Sequence, residues 1–333
     1  MTAPREASAQ EWASPQEFRR IIEACQPVIL RGLVRDWPVV RAAAAPAGLR
    51  DYLARFDRGG QADVFFGDPH IGGRYYYGEN LKGFNFERRQ IAFLPALDAI
   101  LASATTPGAQ SVYLGSLPLP AFLPGFEAEN PLTVLPGVLG RIWLGTASVV
   151  SAHYDAVDNI ACVIAGRRRF TLYPPQAIGN LYVGPIDHTM AGQPVGLAVG
   201  SEPGDPRYPR FEQIRDQALV ADLEPGDALY LPKLWWHQVE STAPFNGLVN
   251  YWWDAFAAGP DAPFTSLLLS MATIAERPLP ERLAWRALFD HYVFRPERHP
   301  LEHLPPEQHG ILGPLRDNYR RIRVLVMRKL RGE

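Results

Sequence analysis

The chain has 333 residues, of which 47% are hydrophobic and 11% aromatic, so it can bury the core of one large domain with an accessory element or of two domains. Its formal net charge is −2, and without an excess of basic residues we expect neither a nucleic-acid partner nor a membrane surface. No apolar run approaches the roughly 18 residues of a transmembrane helix. The 32 prolines and 28 glycines are more than helical bundles usually carry, and they predict many short strands joined by turns.

The N-terminal segment and the two cysteines bear on where the protein works. Residues 1–13 lack the apolar stretch of a secretory signal and are predicted to form a loose tail. Cys25 and Cys162 lie far apart, each in an apolar context, which favours buried free thiols over a disulfide. Because free thiols persist in a reducing compartment, we expect a cytoplasmic protein.

The first 115 residues predict helices that give way to strands. Ser14, Pro15 and Glu17 are the residue types that begin a helix, so a helix is predicted over 15–25. From Ala62 onward the sequence is richer in strand-forming residues. The other predicted elements are, in chain order, a buried strand at 27–32, short helices within 34–41 and 49–56, strands at 63–67 and 73–77, an extended segment at 84–87, a helix at 93–104 and a strand at 111–115.

The rest of the chain predicts a β domain followed by helices. Strands are predicted at 142–145, 148–155, 159–165, 167–173, 228–232, 235–240 and 247–253, and helices at 264–275, 280–294 and 313–330. A Pro-rich connection at 116–137 and an irregular insertion at 176–218 interrupt them, and an insertion of that length is usually functional or mobile. The order of helices, many strands and helices predicts a mainly β fold, as a closed antiparallel barrel or a jelly roll.

Two histidines and one aspartate are candidate metal ligands. His153 and Asp155 are two residues apart, so on a strand their side chains point to the same side. With His237 from a distant strand they would offer two nitrogens and one oxygen, a set that suits Fe(II) with open positions for a cosubstrate and O₂. A lone His153 would more often be structural, and the tripeptide alone is a weak signal.

Three longer stretches make this signal specific: HYDAVDNIACVIAGRRRFTLYPP from His153, LEPGDALYLPKLWWHQVES from Leu223 and VNYWW from Val249. Over residues 15–255 the chain resembles the cupin-like branch of the JmjC 2-oxoglutarate oxygenases. Within them it is most similar to the asparaginyl hydroxylase that inhibits hypoxia-inducible factor and to its bacterial cupin-like relatives. The resemblance implies a double-stranded β-helix (jelly roll) with N-terminal helices, in a cupin-like JmjC domain at 14–258 followed by a C-terminal helical region at 259–333.

The resemblance also implies the ligands. Fe(II) would be bound by His153, Asp155 and His237, with 2-oxoglutarate as cosubstrate. The predicted cosubstrate residues are Tyr113 and Arg168 at the distal carboxylate, and Asn159 and Asn250 near its metal-binding end. Arg168 stands where the family usually has a lysine; an arginine can grip a carboxylate with two parallel hydrogen bonds.

Two departures from the family leave alternatives open. If Arg168 does not hold the carboxylate, its neighbours Arg167 and Arg169 remain, although strand alternation points them away. Val150 replaces a family threonine, so one hydrogen bond to the cosubstrate is missing or comes from Ser148 or Ser151.

Other polar and aromatic residues have plainer interpretations. Asp227 is predicted to be a turn residue, Trp235 and Trp236 to be packing residues, and His188 to be exposed in the insertion. Trp252 either flanks the cosubstrate or fills the core. Tyrosines 75, 76 and 77 are expected to include core and surface members, and the histidines at 291, 299, 303 and 309 to lie at the surface or an interface.

These observations predict a cytoplasmic Fe(II)- and 2-oxoglutarate-dependent dioxygenase, a hydroxylase of a protein side chain or of a small molecule. One alternative is a cupin-like metal-binding or scaffold protein with little or no 2-oxoglutarate turnover; another is a metal-dependent oxygenase that uses no 2-oxo acid. Histone demethylation is disfavoured, because there is no basic patch and no chromatin-reader module. Relatives dimerise through C-terminal helices, and an apolar stripe at 322, 325, 326 and 330 predicts a possible homodimer here.

Overall fold

The computed structural model describes residues 2–190, 192–257, 259–295 and 298–332. The chain divides into two compact units, Met1–Asp254 and Ala255–Glu333. The domain boundary predicted at 258 falls on Ala258, which lies outside the described residues.

The first unit begins with helices and strands that flank the main sheet. Ser14 caps the first long helix by accepting a hydrogen bond from the backbone N–H of Glu17, and Pro15 opens it, as its sequence predicts. The elements up to residue 129 are β1 (Arg5–Ala7), α1 (Ala9–Ala13), α2 (Pro15–Glu23), β2 (Val28–Leu30), α3 (Pro38–Ala42), α4 (Pro46–Ala54), β3 (Gln61–Gly67), β4 (Arg74–Tyr75), β5 (Phe86–Ala92), α5 (Phe93–Ala104), β6 (Ser111–Pro118), α6 (Leu119–Phe122) and α7 (Phe126–Glu129).

Long strands make up the remainder of the first unit. They are β7 (Gly140–His153), β8 (Asp158–Ala165), β9 (Arg168–Tyr173), β10 (Leu219–Leu223), β11 (Ala228–Leu231) and β12 (Trp236–Trp253). All eight residues of β8 are buried, as expected for a strand covered on both faces. Arg168 is buried and Arg169 exposed on β9, because successive side chains of a strand point to opposite faces.

Within the described residues the strands form one twelve-stranded sheet that bends back on itself at β12. The order is β1-β2-β11-β8-β12-β7-β6-β3-β5, with β4 on β7 and with β9 between β10 and β12. The pairing of β12 with β7 shifts register between Ser241 and Phe245, and such irregularities bend strands. The segment before the shift pairs with β9 and the segment after it with β8. This arrangement, with helices at both ends, confirms the predicted mainly β, jelly-roll fold.

Two predictions for the first unit are wrong, and one strand was not predicted. Residues 2–13 are not a loose tail: β1 pairs in parallel with β2, and α1 begins at Ser8 with a capping box to Glu11; Met1 lies outside the described residues. Cys25 is exposed, whereas Cys162 is buried as predicted. The insertion 176–218, in which Ala191 is not described, is followed directly by β10, a strand that its Gly- and Pro-rich surroundings concealed.

Asp227 is a structural turn residue, as predicted. Its carboxylate accepts hydrogen bonds from the backbone N–H groups of Gly32 and Glu224 and from Nη1 of Arg31, at 3.0, 3.2 and 2.7 Å. The side chain is 13% exposed, so these bonds are only partly screened by water. They tie the turn before β11 to the end of β2.

We therefore expect Asp227→Ala to lower the free energy of unfolding by about 2–3 kcal/mol, since it leaves several donors without their acceptor. Asp222→Ala is the matched control, because Asp222 is 64% exposed in its pair with Arg169 and exposed pairs contribute little. Denaturant unfolding of both variants measures the difference. Equal losses in the two variants would contradict the structural role of Asp227.

The second unit is helical. It contains α8 (Pro263–Ile274), α9 (Leu279–Phe289) with a π-helical continuation at Asp290–Phe294, and α10 (Leu315–Arg331). Among its described residues no large hydrophobic side chain is buried, and many are more than a third exposed. Of the predicted surface histidines, His299 and His309 stack on each other at 4.4 Å. None of the described helices is long and apolar enough to cross a membrane.

Candidate metal centre and cosubstrate pocket

The three predicted metal ligands converge at one end of β7. His153 is the last residue of β7, and His237 is its cross-strand partner on β12. Asp155 lies beyond the end of the strand, so a turn and not strand alternation brings its carboxylate to the histidines; the N–H of Leu234 holds this turn by donating to the Asp155 carbonyl oxygen. One ligand atom from each of the three residues lies within 4.8 Å of the others.

Backbone carbonyls set the orientation of both imidazoles. Nδ1 of His153 donates to the carbonyl oxygen of Ser151 at 2.8 Å, and Nδ1 of His237 donates to that of Trp235 at 3.0 Å. The Nε2 atom of each ring is therefore left with a lone pair for a metal. The pKa of His237 is lowered to about 4, mainly by burial and secondly by the nearby His153, while the negative charge of Asp155 opposes this shift. A neutral imidazole is the form that ligates a metal.

A chain of hydrogen bonds fixes the carboxylate of Asp155. Its Oδ2 accepts from the indole N–H of Trp252 at 3.1 Å and from the amide of Asn159 at 3.3 Å. Asn159 in turn accepts from Asn250 at 3.1 Å, and Asn250 accepts from the indole of Trp143 at 2.6 Å. Both partners hold Oδ2, the oxygen that lies 3.9 Å from Nε2 of His237, so the carboxylate is fixed beside the imidazoles.

A cavity of about 270 Å³ opens beside these ligands. It includes all seven residues that the sequence predicts for the site. Its wall is formed by Phe65, Tyr75, Phe86, Tyr113, Gly115, Ser116, Trp143, Val150, Ser151, His153, Asp155, Asn159, Ala161, Arg168, Phe170, Met190, Gln193, Val195, His237, Val239, Leu248, Asn250 and Trp252.

Arg168 lies in the cavity wall and has no anionic partner among the described residues. It is 3% exposed, and its Nε and Nη2 atoms are buried without a hydrogen-bond acceptor. Burial lowers the pKa of Arg168, which the nearby Tyr113 hydroxyl partly offsets; burial likewise raises the pKa of Tyr113 to about 12, against the Arg168 charge. A buried guanidinium with unused donors needs an anion, and a carboxylate fits its planar fork.

Residues 14–259 match the family described as the cupin-like domain. The chain belongs to the cupin-like domain family. This finding and the relatives below confirm the family that the sequence motifs indicated; the narrower likeness to the asparaginyl hydroxylase stays a prediction.

The relatives of this cupin-like chain include JmjC-domain proteins. The chain is similar to "Lysine-specific demethylase JMJ31" of Arabidopsis thaliana, with 36% identity over 34% of the chain and 21% of the relative. It is 28% identical to "Bifunctional peptidase and (3S)-lysyl hydroxylase JMJD7" of Homo sapiens, over 69% of the chain and 77% of the relative. "Jumonji C domain-containing protein 5" of Drosophila melanogaster is 27% identical over 72% of the chain. The chain spans only 58% of that relative.

Of the residues named as alternatives to Arg168 and Val150, Ser151 lines the cavity, and Arg167, Arg169 and Ser148 are not among the described residues of its wall. Arg167 and Arg169 are exposed beside Glu224 and Asp222. The hydroxyl of Ser151 lines the cavity but donates to the carbonyl oxygen of Tyr75. The hydroxyl of Ser148 is buried, has no hydrogen-bond partner among the described residues and is not part of the described cavity wall.

The insertion contributes residues to the site that were not predicted from the sequence. His188 is not exposed: it is half-buried, stacks on Phe84 at 5.2 Å, and its backbone carbonyl accepts from the Tyr77 hydroxyl. Met190 and Gln193 from the same segment line the cavity. Hydrogen bonds of this kind join segments over a hundred residues apart, so the sequence offers no signal for them.

The tryptophans near the site differ in role: two pack in the core, and two belong to the cavity wall. Trp235 and Trp236 are buried at 6% and 1% exposure, as predicted. Trp252 lines the cavity and holds Asp155, so it has a role at the site that the sequence left open. Trp143 carries no functional signal in the sequence, although its indole ends the hydrogen-bond chain that begins at Asp155.

Proposed function

We propose that this protein is an Fe(II)- and 2-oxoglutarate-dependent dioxygenase that hydroxylates a protein side chain. The cupin-like oxygenase domain would occupy residues 14–258, with the helical region 259–333 as an accessory element. The observation that carries the proposal is the pairing of a two-histidine, one-carboxylate cluster with a buried arginine that has unused donors in the same cavity. A binding protein without turnover is not favoured, because relatives are named as a hydroxylase and a demethylase.

His153, Asp155 and His237 would hold Fe(II), and this donor set suits Fe(II) because it leaves open positions. When bound with a 2-oxo acid and O₂, the metal supplies the oxidising chemistry that hydroxylates an unactivated carbon, while 2-oxoglutarate becomes succinate and CO₂. Arg168 would grip the distal carboxylate with two N–H groups, and Tyr113 would donate its hydroxyl proton to the same group.

The remaining residues of the cavity orient the Asp155 carboxylate and exclude water. Trp252 and Asn159 keep Asp155 in one rotamer, which holds its carboxylate beside His237 before the metal arrives. The apolar residues of the cavity exclude water, so the carboxylate–guanidinium contact forms in a medium of low dielectric constant. Protein substrates are proposed from the names of the relatives, two of which refer to lysine residues.

The test is 2-oxoglutarate turnover by purified protein with Fe(II) under air, with succinate and CO₂ as readouts. We expect slow, metal-dependent succinate formation even without substrate, and a higher melting temperature when both ligands are present. Protein without added metal, in the presence of a chelator, is the control. No succinate with any substrate, together with an unchanged melting temperature, would rule out the proposed function.

We further propose that the protein acts in the cytoplasm as a homodimer formed through its C-terminal helices. Two free thiols, Cys25 and Cys162, support a reducing compartment. The apolar side chains of α10, which include Leu325 at 45% and Leu330 at 59% exposure, support self-association because a contiguous exposed apolar face is usually covered.

For the dimer, we expect the double variant Leu325→Glu/Leu330→Glu to lower the measured mass to that of a monomer and to weaken association at least a hundredfold, since two carboxylates cannot be buried in an apolar interface. Light scattering coupled to size-exclusion chromatography measures this. Arg320→Glu, a change on an exposed position of the same helix, is the control. A monomeric wild type would contradict the proposal.

A further inference from the structure

The part of the cavity wall contributed by β3–β6 and their connections is aromatic. Phe65 stacks on Phe86 with ring centroids 4.8 Å apart, and Tyr75 meets Phe86 edge-on at 5.4 Å. Among the described residues of the wall, Asp155 is the one acidic side chain and Arg168 the one arginine or lysine. A side chain that enters from outside therefore meets aromatic faces and no free counter-ion.

Two further arginines stand behind these aromatic walls. The Arg88 guanidinium lies 4.9 Å from the ring centroid of Phe65 and 5.7 Å from that of Phe86, and it donates to the carbonyl oxygen of Met190 at 2.6 Å. The Arg141 guanidinium lies 5.7 Å from Trp252 and donates to Ser116.

In the described part of the chain, no carboxylate forms an ion pair with Arg88, which is exposed to solvent, or with Arg141. The faces of Phe65, Phe86 and Trp252 thus already interact with a cation, and a second cation in the cavity would be repelled by the first.

The loaded site would also be balanced in charge. Fe(II) and Arg168 supply three positive charges; Asp155 and the 2-oxoglutarate dianion supply three negative charges. A substrate ammonium or carboxylate that enters afterwards would be desolvated without a partner in the wall, and an unpaired buried charge is costly.

We propose that the side chain which enters this cavity is uncharged and predominantly apolar, so that lysine is not the target residue of this chain. The inference rests on the proposed function and deepens it. It separates this protein from the relatives whose names refer to lysine. It also argues against a methylated lysine, because an aromatic cage binds a quaternary ammonium through its ring faces, and Phe65 and Phe86 here already interact with Arg88.

The test uses three capped pentapeptides, Ala-Ala-X-Ala-Ala, in which X is norleucine, lysine or glutamate. Norleucine has the length of the lysine side chain without the ammonium, so this pair isolates the charge. Binding is measured by titration of protein loaded with Fe(II) and 2-oxoglutarate without O₂. We expect the norleucine peptide to bind at least tenfold more tightly than each charged peptide.

The double variant Arg88→Gln/Arg141→Gln probes the cause, since glutamine retains hydrogen-bonding capacity without charge. We expect it to reduce the norleucine-to-lysine ratio at least threefold while 2-oxoglutarate affinity stays within twofold of wild type. The inference is overturned if the norleucine peptide binds no more tightly than the lysine peptide. That includes the case in which neither binds at 10 mM, roughly the weakest affinity that the titration resolves. It is also overturned if the glutamate peptide binds most tightly of the three. If 2-oxoglutarate itself fails to bind, the proposed function falls and the inference with it.

Discussion

Replacing Arg168 with methionine will weaken 2-oxoglutarate binding by roughly a hundredfold or more and leave metal binding within a few-fold of wild type. Arg168 is 3% exposed, and two of its guanidinium nitrogens have no acceptor among the described residues. Each charge-assisted hydrogen bond to a carboxylate contributes about 1.5–3 kcal/mol, so loss of two accounts for a factor of that size. Methionine fills similar volume, which limits the effect on packing.

Equilibrium titration of the metal-loaded protein without O₂ measures this loss, and the succinate assay measures the matching rise in KM. Arg169→Met is the control, because Arg169 is the adjacent exposed arginine that pairs with Asp222. Arg168→Lys keeps the charge but offers a point donor in place of a fork, so we expect it to retain part of the affinity. Wild-type affinity in Arg168→Met would show that another group holds the distal carboxylate.

Local patterns were enough to predict most of the elements near the site. The helix at 93–104 is present with the predicted bounds, because apolar residues recur at helical spacing and Pro95 falls in its first turn. Alternation along β9 predicted that Arg168 points inward while its neighbours point out, and the burial pattern agrees. Such features depend on residues close in sequence, which is why they can be predicted without coordinates.

Features that depend on distant residues could not be predicted. The strands predicted at 235–240 and 247–253 are one strand, β12, because pairing with β7 continues across an irregular segment that reads as a turn in the sequence. The bond from Trp252 to Asp155 joins residues 97 positions apart, and only the register of β12 against β7 and β8 brings them together. The contacts of His188 and Met190 have the same origin.

Asp155→Ala will abolish metal-dependent turnover, by at least a thousandfold, and will remove the metal-induced rise in melting temperature. The variant leaves two imidazole nitrogens as ligands and takes away the only negative charge in the metal cluster formed by the described residues. Hard and borderline divalent ions lose affinity steeply when a carboxylate ligand is lost. Asp187→Ala, at an exposed position of the insertion, is the control, and residual turnover above one part in a thousand would place the metal elsewhere.

A milder variant separates ligation from orientation at the same carboxylate. Trp252→Phe removes the indole N–H that donates to Oδ2 of Asp155 at 3.1 Å but keeps an aromatic ring in the cavity wall. Loss of such a supporting hydrogen bond typically costs about 10–100-fold in metal affinity or activity, so Trp252→Phe should fall between wild type and Asp155→Ala. Excess metal should restore turnover in Trp252→Phe, because its ligands are intact, and should not do so in Asp155→Ala. If excess metal rescues both variants alike, Asp155 orients the site and does not ligate the metal.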